Sequence, residues 1–346
     1  MSTATLTAGA APATASKPKG KKKDIRVEAL VRFASAITIF NLIGHLFLGF
    51  EQAWLQPFAA LAGAYFTELL LETVEAAAQK RKARYRGGLK SFILFLLPAH
   101  ISAMAISMLL YANDRMWPLA FAAAVAIASK YIFRVTASGK SKHFLNPSNF
   151  GITMVLILFP WIGIAMPYMF TENLMGWHNW ILPVVIIISG SLLNTVYTKK
   201  MPLIFAWCGM FAAQAIVRAT YFETPVPASL APMTGVAFLL FTFYMVSDPS
   251  TTPRSKGGQA AFGASVALVY GALLTGHVVF TLFFALTLVC VVRGAALYTA
   301  NLWASRREAE PTSSGPRRPM RPRLEVAGSF PSVSQSSRLN LEKGAS

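Results

Sequence analysis

The chain is poor in the residues that build most soluble active sites. Only 13% of its 346 residues are charged, about half the share usual in a soluble domain. With two cysteines, five histidines and no Cys/His cluster at ligand spacing, neither zinc nor an iron–sulfur centre is expected, and no metal is assigned. Cys208 and Cys290 fall in separate apolar stretches and read as small hydrophobes packed between helices. Acidic residues number 14 against 32 Lys and Arg. No nucleophile–base–orienter set stands out, so an autonomous hydrolase has no support and the catalytic residues are unknown. The segment before Lys17 lacks a continuous apolar core. A disordered, basic cytoplasmic tail over residues 1–28 is therefore expected in place of a cleaved signal peptide.

What the chain has in abundance is apolar length. Hydrophobic residues make up 54% of it, in ten stretches near 30–50, 55–76, 91–111, 116–134, 149–168, 178–197, 202–220, 230–247, 259–275 and 278–302. Each approaches the ~20 residues that cross a ~30 Å hydrocarbon core. Spans of this length read as helices, since barrel strands are about half as long. The basic residues alternate with the spans. Of the 32 Lys and Arg, 28 lie in the N-terminal segment up to Arg32, in the C-terminal tail, or in the loops after spans two, four, six and eight. That pattern predicts both termini in the cytoplasm and an inner-membrane location. It also accounts for the +18 charge without nucleic acid. The expected architecture is all-α: a polytopic membrane bundle of about ten helices over 29–303, then a disordered basic tail over 304–346. Ten helices allow two five-helix halves, and an odd number per half makes any repeat inverted, although the halves share no convincing sequence identity.

Two loops on the predicted cytoplasmic side carry unusual chemistry. Residues 134–149 contain Gly139, Lys140, Lys142 and His143 and end in Asn146-Pro147-Ser148-Asn149. Asn146 suits a helix N-cap and Pro147 the first helical turn. The free N–H groups and positive dipole of such a terminus offer a seat for an anion; the plainer alternative is a capped helix with membrane-facing lysines. The second loop, Ser247-Asp248-Pro249-Ser250-Thr251-Thr252-Pro253, puts a carboxylate at the membrane edge, where it needs a partner or water. Lys140, Asn146, Pro147, Asn149, Asp248, Thr251 and Thr252 are the candidate cofactor-binding residues, with Asp248 expected to accept from the Asn side chains or the helix terminus.

The stretches Lys130-Tyr131-Ile132-Phe133 with Phe144-Leu145-Asn146-Pro147, and Tyr244-Met245-Val246-Ser247-Asp248-Pro249 with Thr252-Pro253, Gly257 and Phe262-Gly263, resemble the signatures of the RnfD/NqrB family. These are the D subunit of the Rnf electron-transport complex and the B subunit of sodium-translocating NADH:quinone reductase. The resemblance spans roughly residues 30–302, and the Asp-Pro-Ser-Thr-Thr-Pro wording looks closest to a divergent branch found with enediyne natural-product genes. It implies a membrane subunit that holds flavin, works with redox partner subunits and couples electron flow to cation movement. The family attaches FMN to the Thr of a Ser-Gly-Ala-Thr-like motif in an external loop. Here that loop, 168–177, is short and lacks the motif, with Thr171 its single hydroxyl. Covalent flavin is not expected; FMN or riboflavin held without a covalent bond is.

Polar residues inside the spans suggest a second function. Glu68, Glu72 and Glu75 share one face of the second span, while Asn41 and His45 sit one turn apart on the first and His100 midway along the third. A cation or proton path lined by Glu68, Glu72, His45 and His100 is one reading, and hydrogen-bonded glue between helices the other. Lys130 and Arg293 are expected to snorkel toward the cytoplasmic face. The alternative to a redox subunit is a transporter, an export or self-resistance protein, or an accessory protein that kept the fold without the flavin.

Overall fold

The computed structural model describes residues 25–137 and 140–309, with side chains over 27–136 and 141–306. Most of the two expected tails, Gly139 and the Lys140 side chain lie outside the described residues. The chain divides into a unit that runs through Trp303 and a second that begins at Ala304.

The first unit is a helical bundle. Its helices are α1 Ile25–Ile43, α2 Gln56–Ala78, α3 Leu89–Leu109, α4 Trp117–Ile132, α5 Pro147–Leu158, α6 Ile181–Leu192, α7 Met201–Tyr221, α8 Val226–Leu230, α9 Val236–Leu240, α10 Lys256–Thr275 and α11 Thr281–Ala309. Among the described residues six helical segments are long and apolar enough to cross a membrane, and the α8–α9 pair, bent by 61°, adds a seventh. The outer surface is apolar too, with Phe66, Val185, Ile188, Phe205 and Val292 exposed. Water would oppose such a surface and hydrocarbon does not. The chain is a multi-pass membrane protein of largely helical build.

Several spans are less regular than their hydropathy predicts. The fifth stretch, read as one crossing over 149–168, is helical only to Leu158, about 18 Å at 1.5 Å per residue. Pro160 explains the stop, because the residue before a proline is pushed out of the helical region. The chain then runs extended as β4, Gly163–Ile164, paired antiparallel with β1, Leu110–Tyr111. Leu110, Ile162 and Ala165 are buried. The pairing with β1 answers backbone groups that the broken helix would otherwise leave open. The eighth stretch, read as 230–247, bends where Pro232 and Gly235 interrupt it. Three helices end in wide i→i+5 turns, Gly44–Leu48, Leu193–Tyr197 and Phe241–Met245. A further antiparallel hairpin, β2 Arg134–Ala137 with β3 Lys140–His143, joins α4 to α5.

The closest helix contacts run through glycine. A Cβ added to Gly63 on α2 would collide with the Ala120 carbonyl of α4, and one on Gly263 of α10 would meet the Leu203 carbonyl of α7. Both obstacles are backbone, so no side chain can swing aside. Gly63→Ala and Gly263→Ala should each destabilise the folded protein by about 1–3 kcal/mol, measured by thermal unfolding in detergent. Gly209→Ala, with nothing within 4 Å of its Cβ position, should leave stability unchanged or slightly raised.

Candidate functional site

The three carboxylates of α2 form a ladder held by cations from α4, from the loop after α2 and from β2. Glu68, 4% exposed, accepts from Lys130 Nζ at 2.6 Å and from Tyr131 Oη at 3.2 Å, both on α4. Glu72, fully buried, is clasped by Arg81 and Arg84 of the loop that follows α2; the Arg84 backbone N–H donates to it at 2.7 Å and Arg84 Nε at 2.8 Å. Glu75 pairs with the same two arginines and with Arg134 at the start of β2. These ion pairs hold the Arg81 guanidinium above its ordinary pKa, its hydrogen bond to Glu72 contributing most. Lys130 does not snorkel as expected, because Glu68 offers a buried anion within reach.

The two histidines sit apart from that ladder. His100 lies between Thr38 Oγ1 and Tyr65 Oη, each 2.7 Å from a ring nitrogen. His45 Nδ1 lies 2.9 Å from the Asn41 carbonyl, and its ring packs against Phe50 and Trp54. Glu72 is joined to Glu68 through Arg81, Glu75, Arg134 and Lys130, while His45 and His100 each belong to a separate bonded group among the described residues.

The two loops do meet. Asn146 caps α5: its Oδ1 accepts from Asn149 N at 3.0 Å and Ser148 Oγ at 3.1 Å. Its Nδ2 donates to the Met245 carbonyl at 3.1 Å, and His143 Nε2 lies 3.2 Å from Ser250 Oγ. Asp248 differs from expectation. Its carboxylate accepts from Ser250 N and Oγ and from Thr251 Oγ1, so it reaches His143 through the Ser250 hydroxyl and not through the asparagines. Asn149 faces away, donating to the Phe283 carbonyl and Thr287 Oγ1 of α11. Thr252 Oγ1 closes the turn on the Asp248 carbonyl at 2.6 Å, and Pro147 occupies the first turn of α5. The backbone of Lys140 opens β3.

Two cations complete this polar cup without any signal in the sequence. Arg293 of α11 donates to the Thr251 carbonyl at 2.7 Å. Lys200, only 3% exposed, donates to the Pro253 carbonyl at 2.6 Å. Burial pushes the Lys200 ammonium down to about 8; Asp248 opposes the shift, while Arg293, Arg254 and Lys142 add to it. Burial likewise holds the His143 imidazole below its ordinary value, against the pull of Asp248. One carboxylate among several cations leaves the cup net positive, the polarity an anionic group requires. Asn194 was also overlooked. Fully buried, it donates to the carbonyls of Gly190 and Phe243 and so ties two of the wide turns together. The 168–177 loop forms 3₁₀ turns over Pro167–Phe170 and Gly176–Trp180, with Thr171 between them. No protein-family model and no characterised protein matches this chain.

Two outcomes follow. Lys130→Met leaves the Glu68 carboxylate buried without its cation and should cost about 3–5 kcal/mol. The pair Glu68→Gln with Lys130→Met should cost markedly less, as thermal unfolding of the single and double variants would measure. Lys200 binds its proton less tightly when folded than the ordinary 10.5, so the unfolded state carries more protons between about 8 and 10.5. Stability from this residue should rise with pH across that window, by at most about 3 kcal/mol. Lys200→Met should remove that slope in denaturation curves recorded across the window.

Proposed function

We propose that the chain is a membrane subunit of the RnfD/NqrB kind, serving flavin-linked electron transport and cation movement beside redox partner subunits. FMN or riboflavin is held without a covalent bond at the two-loop cup. One observation carries the reading. The two stretches that bear the resemblance lie about a hundred residues apart, yet they are bonded to each other at one end of the bundle through Asn146, Met245, His143 and Ser250. Lys200 and Arg293 bring positive charge to that place, as a flavin phosphate requires.

The proposed topology has ten crossings, both termini in the cytoplasm and the cup on the cytoplasmic face of the inner membrane. The six long apolar helices, the bent pair and the two shorter apolar helices α4 and α5 supply nine. The carboxylate-bearing α2 supplies the tenth. Helix pairing supports two inverted five-helix halves. In the first half α1 packs on α3 and α2 on α4; in the second α6 packs on α9 and α7 on α10. First-on-third and second-on-fourth packing thus recurs, with a glycine at the closest approach of each second-on-fourth pair.

A second reading, a transporter or self-resistance protein without flavin, is favoured by the Glu68–Lys130 pair buried in the bundle. Visible absorption of the purified protein separates the two. The redox reading expects a flavin band that passes wholly into the supernatant on denaturation, with Asp248→Asn altering flavin retention more than Thr251→Ala. A folded protein with no flavin, even after incubation with FMN or riboflavin, would overturn it in favour of transport.

A further inference from the structure

Arg218 is a membrane cation with no acid to answer it. It occupies the last turn of α7, and no carboxylate lies within ion-pair distance of it among the described residues. Its Nε–H is buried without a hydrogen-bond partner. One turn deeper, Gln214 spends its amide N–H on the Phe211 carbonyl and leaves its Oε1 buried and unpartnered. Both side chains line a groove of about 430 Å³ between α7 and α10. The groove persists because Gly271 has no side chain; a Cβ there would come within 2.6 Å of Gln214 Oε1.

Its position decides what fills it. α7 begins beside the cup, where Lys200 bonds Pro253, and its 21 residues carry it about 30 Å. Arg218 therefore lies near the opposite membrane surface, at the depth of lipid head groups. Tyr221 and Phe222, both exposed and packed edge to face at 4.9 Å, sit at the rim as interfacial aromatics do. Exposed Val217 and Leu268 flank the opening toward the lipid. An isolated guanidinium at the end of an apolar, laterally open groove complements a phosphodiester that carries acyl chains.

We propose that the α7–α10 groove is a binding site for an anionic glycerophospholipid of the bilayer. The lipid phosphate accepts from Arg218, an acyl chain lies along Val217, Leu268 and Gly271, and Gln214 Oε1 takes its hydrogen bond from water that enters with the head group.

Native mass spectrometry of the full chain, titrated in detergent with phosphatidylglycerol or with phosphatidylcholine of the same acyl chains, tests this. Wild-type protein should bind one phosphatidylglycerol with roughly tenfold preference, because both lipids offer the phosphate but choline brings a second cation beside Arg218. Arg218→Gln should abolish that preference, Arg218→Lys should keep part of it, and Gly271→Leu should lower binding of both lipids by filling the groove. Equal affinity of the wild type for the two lipids, or an unaltered preference in Arg218→Gln, would overturn the proposal. So would displacement of phosphatidylglycerol by inorganic phosphate alone, which would mark a site for a soluble anion. The wild-type arms decide the matter even if a variant fails to fold.

Discussion

A charged side chain taken into a membrane interior must bring its own counter-ion, and the ladder on α2 organises much of the bundle under that constraint. Three carboxylates on one helical face are costly beside hydrocarbon. They are stable here because Lys130, Arg81, Arg84 and Arg134 converge on them. Each pairing places a second element. Lys130 sets the rotation of α4, Arg81 and Arg84 fold the loop back against the helix it leaves, and Arg134 fixes the start of the hairpin. The hairpin in turn delivers His143 and Asn146 to the loop that carries Asp248. Such pairs add little net stability over an apolar substitute, but breaking one leaves an unanswered charge. The ladder thus specifies one arrangement of α2, α4 and the hairpin more than it strengthens it.

The same rule governs the irregular backbone. Wherever a span departs from a regular helix, the freed backbone groups find partners inside the protein. The extended chain after α5 pairs with Leu110 and Tyr111. The Phe243 carbonyl in one wide turn accepts from Asn194 in another and from Ser247. The cup loop, which follows the Phe241–Met245 turn, also leaves carbonyls to be answered. Arg293 and Lys200 answer those of Thr251 and Pro253. A cup in which cations already bond to carbonyl oxygens has its loop pre-arranged and its positive charge oriented.

Legibility differed by residue. Asn146 announced its role, because an N-cap followed by proline is a local signal that needs no tertiary knowledge. The depth of Glu68 announced that it needed company, but not whose. Lys130 lies 62 residues away, and nothing local to it distinguishes a buried partner from a snorkelling lysine. How Glu68, Glu72, His45 and His100 are joined was not legible for a related reason. A shared face on one helix constrains direction, while continuity of hydrogen bonds depends on how three helices rotate against one another. Lys200 passed as a topology-setting charge and Arg293 as a snorkelling one, since their targets are backbone carbonyls and carry no sequence signature.

By itself the sequence determined that the chain lies in a membrane and is predominantly helical. Those follow from one local quantity, apolar length against the thickness of hydrocarbon. Only the tertiary structure decided which cation meets which carboxylate, that Asp248 turns to Ser250 and not to the asparagines, and that Arg218 faces a groove with no acid beside it. Hydropathy averages over all sides of a helix. Side-chain pairing depends on the one side that meets a neighbour, which is settled when glycines such as Gly63 and Gly263 let two backbones approach and fix their mutual rotation.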